Sequence, residues 1–276
     1  MRAFVALAKS ASKSIGFVPT MGALHAGHIS LVQAGSMAQN HVTIVSIFVN
    51  PLQFNQVADF EKYPTQYKAD IALLEEAGVQ ALFLPTEQEM YDQSKAESLK
   101  VEIGYLDTVL EGAKRPGHFS GVCVVVAKLL NIVQPDRAYL GTKDLQQVAV
   151  VRKLVADLDF ATEIIGMPIL REANGLAMSS RNARLSPQAR NLAAGIYASM
   201  CKAKAEAGTD CAHALSTCHS LLSAIPGLDI EYIEVVDTHT FRKPETNHAG
   251  QSANLSLCVA VWLDGVRLID NVQLGH

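Results

Sequence analysis

The chain has 276 residues, enough to bury a sizeable core in one large domain or two moderate ones. Hydrophobic residues make up 49% and charged residues 18% of the chain, with a mean hydropathy of +0.16, which excludes a disordered protein. The net charge of -4 and the pI of about 6.1 provide no field that would attract nucleic acid or an anionic membrane. A small-molecule substrate fits this composition better.

The beginning of the chain predicts neither secretion nor membrane insertion. The apolar run from Ala3 to Ala8 is shorter than the core of a secretory signal, and no later run of about 18 uncharged apolar residues could span a bilayer. We therefore expect a cytoplasmic protein. An odd number of cysteines without CxxC spacing indicates neither a disulfide framework nor a zinc knuckle: Cys123, Cys201, Cys211, Cys218 and Cys258.

Up to about residue 170, short apolar runs alternate with stretches of helical period. The predicted strands are residues 15–20, 41–50, 79–86, 137–141 and 162–169. The predicted helices are residues 27–39, 65–77, 120–133 and 144–157. This alternation predicts βαβ units, and because the strands are apolar throughout, helices should cover both faces of a parallel sheet.

The pattern changes after "REANGLAMSSRNARL". Ser186 followed by Pro187 is a helix-start signal, and an alanine-rich helical region then runs to about residue 225, interrupted near Gly208. A strand over 230–237 and a hairpin at Asp264–Gly265 follow. We predict an α/β fold: a Rossmann-like domain over residues 1–170 and a smaller α+β domain over residues 171–276.

The stretch "TMGALHAGH" sets two histidines, His25 and His28, after the first predicted strand, at the start of a helix near Gly27. Ligands of open parallel sheets bind beyond the carboxyl ends of strands, and a helix start favours anions. Histidines three apart share a face and offer donors to a phosphate. Two other interpretations of the histidine pair stay open: half of a metal site, or a surface pair without a role. No carboxylate or cysteine lies nearby in the sequence to complete a set of metal ligands.

Two further segments follow strand ends in the same way. "AMSSRN" places the hydroxyls of Ser179 and Ser180 beside the guanidinium of Arg181, a set suited to phosphate oxygens, although a simple polar turn has the same composition. "GTKDLQQ" places Lys143 where it can meet a phosphate, while Asp144 has the position of a helix cap.

Taken in order, six segments resemble the pantoate–β-alanine ligase family of the HxGH nucleotidylyltransferase superfamily. They are "PTMGALHAGH", "SIFVNPLQFN", "RPGHFSGV", "DRAYLGTKDLQQ", "REANGLAMSSRN" and "RLIDN". The resemblance implies that ATP and pantoate form pantoyl adenylate and pyrophosphate with Mg²⁺, and that β-alanine then displaces AMP to give pantothenate, a coenzyme A precursor. It also implies a homodimer and a C-terminal domain that closes over the nucleotide.

The resemblance also assigns roles to residues. His25 and His28 bind the ATP phosphates, and His28 also donates a proton to the leaving pyrophosphate. The triphosphate clamp consists of Lys143, Ser179, Ser180 and Arg181. The backbone around Met21, Gly141, Asp144, Leu170 and Met178 holds adenosine, and the ATP-binding set is completed by Gly22, Ala23, Leu24, Ala26, Gly27 and Thr142.

Gln53 and Gln147 resemble the family's pantoate-binding glutamines, with Gln53 also near β-alanine; from the residues alone, an ordinary polar surface role is favoured for both. The Mg²⁺ ligands are not assigned, and Arg115 and His118 are left outside the site. Thr142 stands where the family commonly has glutamate, and "MSSRN" lacks the superfamily's loop lysines.

Three other functions are compatible with parts of the pattern. A different adenylyl-transferring enzyme would share the HxGH motif but need not contain "NPLQFN" or "GTKDLQQ". A tRNA synthetase is disfavoured by the acidic balance and by the roughly 105 residues after the boundary. A nucleotide sensor without catalysis need not keep the two histidines together with Lys143 and with the Ser–Arg loop, which consists of Ser179, Ser180 and Arg181.

Overall fold

The structure is a computed structural model that describes residues 1–38, 40–55, 57–91, 99–208, 210–244 and 254–274, with only the backbone described at 57 and 58. Residue 39, at the end of the helix predicted over 27–39, lies outside the described residues. The chain divides into two compact units. The first consists of Met1–Thr142 and Gln146–Pro168, and the second of Lys143–Leu145 and Ile169–His276.

The first unit alternates strands with helices. Its strands are β1 Ile15–Thr20, β2 Val42–Ile47, β3 Ala81–Phe83, β4 Arg137–Gly141 and β5 Glu163–Met167. Its helices are α1 Arg2–Ser10, α2 Ala26–Met37, α3 Val57–Glu61, α4 Tyr67–Glu76, α5 Glu87–Met90, α6 Leu110–Lys114, α7 His118–Val133 and α8 Leu145–Asp157. Short 3-10 turns cover Pro51–Gln53, Gly104–Thr108 and Thr142–Asp144.

The five strands form one parallel sheet in the order β3-β2-β1-β4-β5. The chain builds β1, β2 and β3 outward on one side, then returns to place β4 on the other side of β1. The strand order therefore reverses between β1 and β4, which is where open α/β sheets bind ligands. The predicted Rossmann-like sheet is confirmed.

Burial explains the apolar strands. All six residues of β2 are buried, which requires cover on both faces of the sheet. On one face, Val18 and Val45 pack in a cluster with Val32 of α2 and Leu74 of α4. Helix α7 also contacts β1.

All five predicted strands and all four predicted helices of this unit form, with ends shifted by a few residues. The alternation did not predict the amphipathic helix α1, which buries Val5 and Ala8 but leaves Leu7 70% exposed. The helix has only nine residues, which is shorter than the window of about 11–18 residues over which a helical period is recognised in a sequence.

The second unit contains the helices α9 Pro187–Ala207 and α10 Cys211–Ser223, and the strands β6 Leu228–Asp237, β7 Leu255–Leu263 and β8 Val266–Leu274. The strands form an antiparallel sheet in the order β6-β7-β8, so the predicted smaller α+β fold is confirmed. A 3-10 turn, Ser180–Arg184, precedes α9. Ser186 caps α9 by accepting the Ala189 N–H at 3.2 Å.

The core of the second unit follows helical spacing. Residues recurring at intervals of three and four along α9 are fully buried against α10 and β7: Ala193, Ile196, Met200 and Ala203. The predicted hairpin turn lies between β7 and β8, where Asp264 and Gly265 have φ of 53° and 68°. Two left-handed residues at this position match the twist of the strands. Within the described part of the chain, no helix is long and apolar enough to cross a membrane.

Candidate active site

The loop from Met21 to His25 leaves β1 beside the point where the strand order reverses. Gly22 has φ +80° and Ala23 has φ +36°, so the loop turns through two left-handed residues in succession. The Thr20 hydroxyl donates to the Ser46 carbonyl at 2.8 Å and accepts the Gly22 N–H at 3.3 Å. The loop is therefore joined to the neighbouring strand β2.

A buried carboxylate supports the same loop. Asp70, on α4, is 0% exposed, and its Oδ1 accepts the Leu24 N–H at 2.8 Å and the Gln66 side-chain N–H at 3.2 Å. A Cβ on Gly22 would lie 3.0 Å from Asp70 Oδ2 and 2.8 Å from Ile47 Cγ2. Only glycine fits here, because both the backbone angle and the space exclude a side chain.

His25 and His28 cap the start of α2 reciprocally. The Nδ1 of His25 accepts the Gly27 N–H at 3.2 Å, and the Nδ1 of His28 accepts the His25 N–H at 3.3 Å. Their ring centroids lie 4.0 Å apart. This is the geometry of a capping box in which two imidazoles replace the usual hydroxyl and carboxylate.

The capping fixes the tautomer of each neutral ring. An Nδ1 that accepts a backbone N–H carries no proton, so the ring proton lies on Nε2 in both histidines. The pair therefore holds two Nε2–H groups at a helix start, where backbone N–H groups and the helix dipole favour an anion. The spacing HxxH is thus needed for the helix start as well as for the donors.

Gln53 lies in the turn after β2 and is 8% exposed. Its Nε2 donates to the sulfur of Met21 at 2.9 Å, and its Oε1 accepts from Asn50 Nδ2 at 3.1 Å. Two residues predicted to bind different substrates, Met21 and Gln53, are therefore in contact. Sulfur is a weak acceptor, so a substrate oxygen would be a better partner for the Gln53 amide.

Asn50 is held in one orientation. Its Oδ1 accepts the Tyr91 hydroxyl at 2.7 Å and the Leu52 N–H at 3.3 Å, and its Nδ2 also donates to the Gly121 carbonyl at 3.1 Å. Burial raises the pKa of Tyr91 above its ordinary value, and the Glu87 carboxylate raises it further. Tyr91 therefore stays protonated and continues to donate.

Arg115 and His118, which the sequence left without a role, hold the main chain of Gln53. The carbonyl of Gln53 accepts from His118 Nδ1 at 2.8 Å and from the Arg115 guanidinium at 3.3 Å. Arg115 also donates to His118 Nε2 at 3.0 Å, so His118 is neutral with its proton on Nδ1. Gln53 is thus fixed through both its side chain and its backbone.

In the second unit, the segment before the Ser–Arg loop forms a short hairpin. Arg171 and Ala177 pair as an isolated bridge, and the Met178 N–H donates to the Leu170 carbonyl at 3.0 Å. Ser179 then caps the 3-10 turn by accepting the Arg181 N–H at 3.2 Å. The predicted adenosine-contacting residues Leu170 and Met178 are therefore brought together directly before the loop.

Asn182 anchors this loop from inside. It is 3% exposed, and its Nδ2 donates to Glu172 at 2.8 Å and to the Ala177 carbonyl at 3.0 Å. Glu172 in turn pairs with Arg190 of α9 at 2.8 Å. The loop that carries Ser179, Ser180 and Arg181 is a fixed turn of the second unit.

Lys143 also belongs to the second unit, although it directly follows β4 in sequence. Its carbonyl accepts from Asn271 Nδ2 on β8 at 3.1 Å, and its Nζ lies 4.0 Å from Asp144. Gly141, at the end of β4, and Thr142, which donates to the Met167 carbonyl at 2.9 Å, stay with the first unit. The segment "GTKD" is therefore shared between the two units.

Gln147 lies half-buried in the first turn of α8, in the first unit. Its neighbour Gln146 has a structural role: it is 3% exposed and bonded to the backbone of Leu106, Val109 and Glu111.

The sequence pattern did not single out Asn50, Asp70, Tyr91 or Asn271. Only Asn50 had a local signal, as a polar residue followed by proline at a strand end.

Within the part of the chain that the structure describes, a magnesium ion would find few ready-made protein ligands. Among the described residues, no three side chains of His, Cys, Asp or Glu come together as a metal-binding group. Magnesium commonly takes one or two carboxylates together with substrate phosphates, so a nucleotide would have to supply most of its ligands.

Fold and site together define a class: a doubly wound α/β protein with an HxGH helix start at its switch point, the place between β1 and β4 where the strand order reverses. A family model described as pantoate–beta-alanine ligase matches residues 1–273. The pantothenate synthetase of Cytophaga hutchinsonii is 47% identical over 277 residues, covering 99% of this chain and 96% of that protein. The chain belongs to the pantoate–β-alanine ligase family.

Solved structures agree with this assignment. The crystal structure of pantothenate synthetase from Thermus thermophilus has a TM-score of 0.90 at 42% identity, covering 99% of this chain and 98% of that one. The pantoate–beta-alanine ligase of Francisella tularensis, solved in complex with beta-gamma ATP and beta-alanine, has a TM-score of 0.79 at 37% identity, covering 98% and 94%.

Proposed function

We propose that this chain condenses pantoate with β-alanine, using ATP, to form pantothenate in coenzyme A biosynthesis. The observation that carries the proposal is the family match along nearly the whole chain, with His25 and His28 intact at the switch point. In the first half-reaction a pantoate carboxylate oxygen attacks the α-phosphorus of ATP, and the bond to the β-phosphate breaks to release pyrophosphate. In the second, the β-alanine nitrogen attacks the acyl carbon, loses a proton, and AMP leaves.

The two histidines act on the phosphates in this proposal. Because both Nδ1 atoms accept backbone N–H groups, their Nε2–H groups are the donors to the phosphate oxygens. Preorganised donors of this kind stabilise charge that develops in the transition state. His28 also acts on the leaving pyrophosphate: it donates a hydrogen bond from Nε2–H, and transfer of that proton requires the imidazolium form, in which Nδ1 is protonated and releases the His25 N–H, so that a neutral imidazole remains.

The remaining phosphate donors in this proposal are Lys143, Ser179, Ser180 and Arg181. Support comes from the fixed 3-10 turn that holds the two serines and Arg181, and from the Asn271 bond that holds the Lys143 backbone. The remaining ATP contacts are assigned to Met21, Gly22, Ala23, Leu24, Ala26, Gly27, Gly141, Thr142, Asp144, Leu170 and Met178.

Gln53 and Gln147 bind pantoate in this proposal. The Gln53 amide already has its Oε1 bonded to Asn50, so its Nε2–H is the group that turns from the Met21 sulfur to a pantoate oxygen. Gln53 also lies near β-alanine.

Magnesium enters as MgATP in this proposal, held mainly by the triphosphate, because proteins commonly bind Mg²⁺ through one or two carboxylates together with substrate phosphates. The family resemblance supports a homodimer as a further part of the proposal. A cytoplasmic location accords with the use of ATP as a substrate.

To test this proposal, the protein is incubated with ATP, Mg²⁺ and pantoate that carries ¹⁸O in its carboxylate, with and without β-alanine. The products are identified by mass spectrometry. Without β-alanine we expect pantoyl adenylate and pyrophosphate. With β-alanine we expect pantothenate and AMP, with one ¹⁸O atom transferred to AMP. His28→Ala serves as the inactive control, with adenylate formation reduced about a hundredfold or more. Nucleotide binding without pyrophosphate release, or pantothenate with unlabelled AMP, would contradict the proposal.

A further inference from the structure

An ion pair on β8 connects two segments of the second unit. Arg171 donates to both oxygens of Asp270, at 2.6 Å and 2.9 Å, and the Asp270 side chain is 4% exposed. The Arg171 guanidinium also lies 3.5 Å from the ring centroid of Tyr197. This ion pair is bidentate and largely buried, and its guanidinium is stacked on an aromatic ring. It therefore has little freedom to move and fixes the relative position of the elements that it joins.

Arg171 belongs to the short hairpin that leads into the Ser–Arg loop. Besides Asp270, it donates to the Gly175 carbonyl at 3.2 Å, at the tip of this hairpin. Its backbone pairs with Ala177, two residues before Ser179. The ion pair therefore holds the base of the loop against β8.

The other side of the same carboxylate leads to Lys143. Asp270 Oδ1 accepts the Asn271 N–H at 2.8 Å, and Asn271 Nδ2 donates to the Lys143 carbonyl at 3.1 Å across 128 residues of sequence. Two segments proposed to bind the triphosphate are thus attached to consecutive residues of β8.

We propose that Asn271 is a positioning residue for Lys143, with the Arg171–Asp270 pair as its anchor. Asn271 holds the backbone of Lys143 and so sets where the ammonium stands relative to the Ser–Arg loop. This inference rests on the proposed role of Lys143 in phosphate binding. It predicts that Asn271 affects the rate of adenylate formation only through Lys143.

The first experiment measures steady-state adenylate formation in the full chain for two variants. Asn271→Asp keeps the side-chain shape but removes the N–H donor, and Asn271→Ala removes the side chain. We expect each to lower kcat for pyrophosphate release about tenfold, as misplacement of a catalytic group does, with KM for pantoate unchanged. Asn131→Ala is the matched control, since its amide also donates to a backbone carbonyl, at 3.0 Å, but on an exposed helix surface; it should leave kcat unchanged.

The second experiment repeats both substitutions in a Lys143→Met background. If Asn271 acts through Lys143, the double variants should be no slower than Lys143→Met alone, because the two effects are not additive. Two outcomes would overturn the positioning role of Asn271 alone. One is that the losses in the double variants are additive. The other is that Asn271→Asp has a normal kcat while Lys143→Met is inactive. A fully active Lys143→Met would overturn the role of Lys143 and the inference together.

Discussion

Asn50 Nδ2 lies 3.1 Å from Gln53 Oε1, and this bond decides which end of the Gln53 amide is offered to a ligand. Because Asn50 Oδ1 already accepts from Tyr91 and Leu52, its amide cannot turn without losing both bonds. Gln53 therefore presents Nε2–H, a donor suited to a carboxylate or hydroxyl oxygen.

Replacement of Gln53 tests this donor. Gln53→Ala should raise KM for pantoate about tenfold to a hundredfold, because one hydrogen bond to a charged or polar substrate group is lost, while KM for ATP stays unchanged. Gln53→Glu should be at least as impaired, since it places an acceptor where the donor stood. Initial rates of pyrophosphate release at varied pantoate provide the measurement. Gln188→Ala, an exposed glutamine on α9, is the control, and an unaltered pantoate KM for Gln53→Ala would remove Gln53 from the pantoate site.

His25 has two roles that can be separated. Asparagine is a strong helix N-cap but has no Nε2–H, so His25→Asn should retain the free energy of unfolding and lose adenylate formation. His25→Ala should lose the same activity and also about 1 kcal/mol of stability, the usual effect of removing an N-cap. Urea denaturation and pyrophosphate release measure the two effects. Equal stability of the Ala and Asn variants would show that the His25 cap contributes nothing.

Gly121 on α7 allows that helix to approach the Gln53 turn. A Cβ at this position would overlap the Leu52 carbonyl and lie 2.8 Å from Gln53 N, both of which are backbone. Gly121→Ala should therefore destabilise the chain by about 1–3 kcal/mol and raise KM for pantoate by moving Gln53. Gly35→Ala is the matched control, since its Cβ would lie 3.4 Å from the Tyr139 ring in ordinary contact. Equal unfolding midpoints and equal pantoate KM values for the two variants would contradict this packing.

The sequence predicted those features that depend on local period and spacing. Strand–helix alternation, the Ser186 cap and the Asp264–Gly265 turn are read from neighbouring residues, and each forms where expected. Asp70 and Asn271 were missed because their partners, Leu24 and Lys143, are distant in sequence, and only folding brings them together. The histidine spacing indicated two donors but not the reciprocal cap, because a histidine is not one of the usual capping residues.

The turn residue Asp264 also makes stability depend on pH. Its Oδ2 accepts the Ser186 N–H at 2.9 Å, and hydrogen bonds from the Ser186 backbone and side chain lower the pKa of Asp264 below its ordinary value of 3.8. Because the folded pKa is the lower one, this stabilisation is present above pH 3.8 and is lost as the pH falls through the folded pKa. Asp264→Asn keeps a residue that tolerates the left-handed φ of 53° but removes the charge.

The wild-type chain should therefore be more stable than Asp264→Asn at pH 7, and the difference should shrink as the pH falls below 3.8 and vanish once Asp264 is protonated in the folded state. Urea denaturation at pH 7, 5, 3.5 and 2.5 measures this difference. Asp229→Asn, an exposed carboxylate on β6 in the same unit, controls for the general loss of a negative charge. If the gap between wild type and Asp264→Asn is the same at pH 7 and pH 2.5, the charge of Asp264 does not stabilise the start of α9.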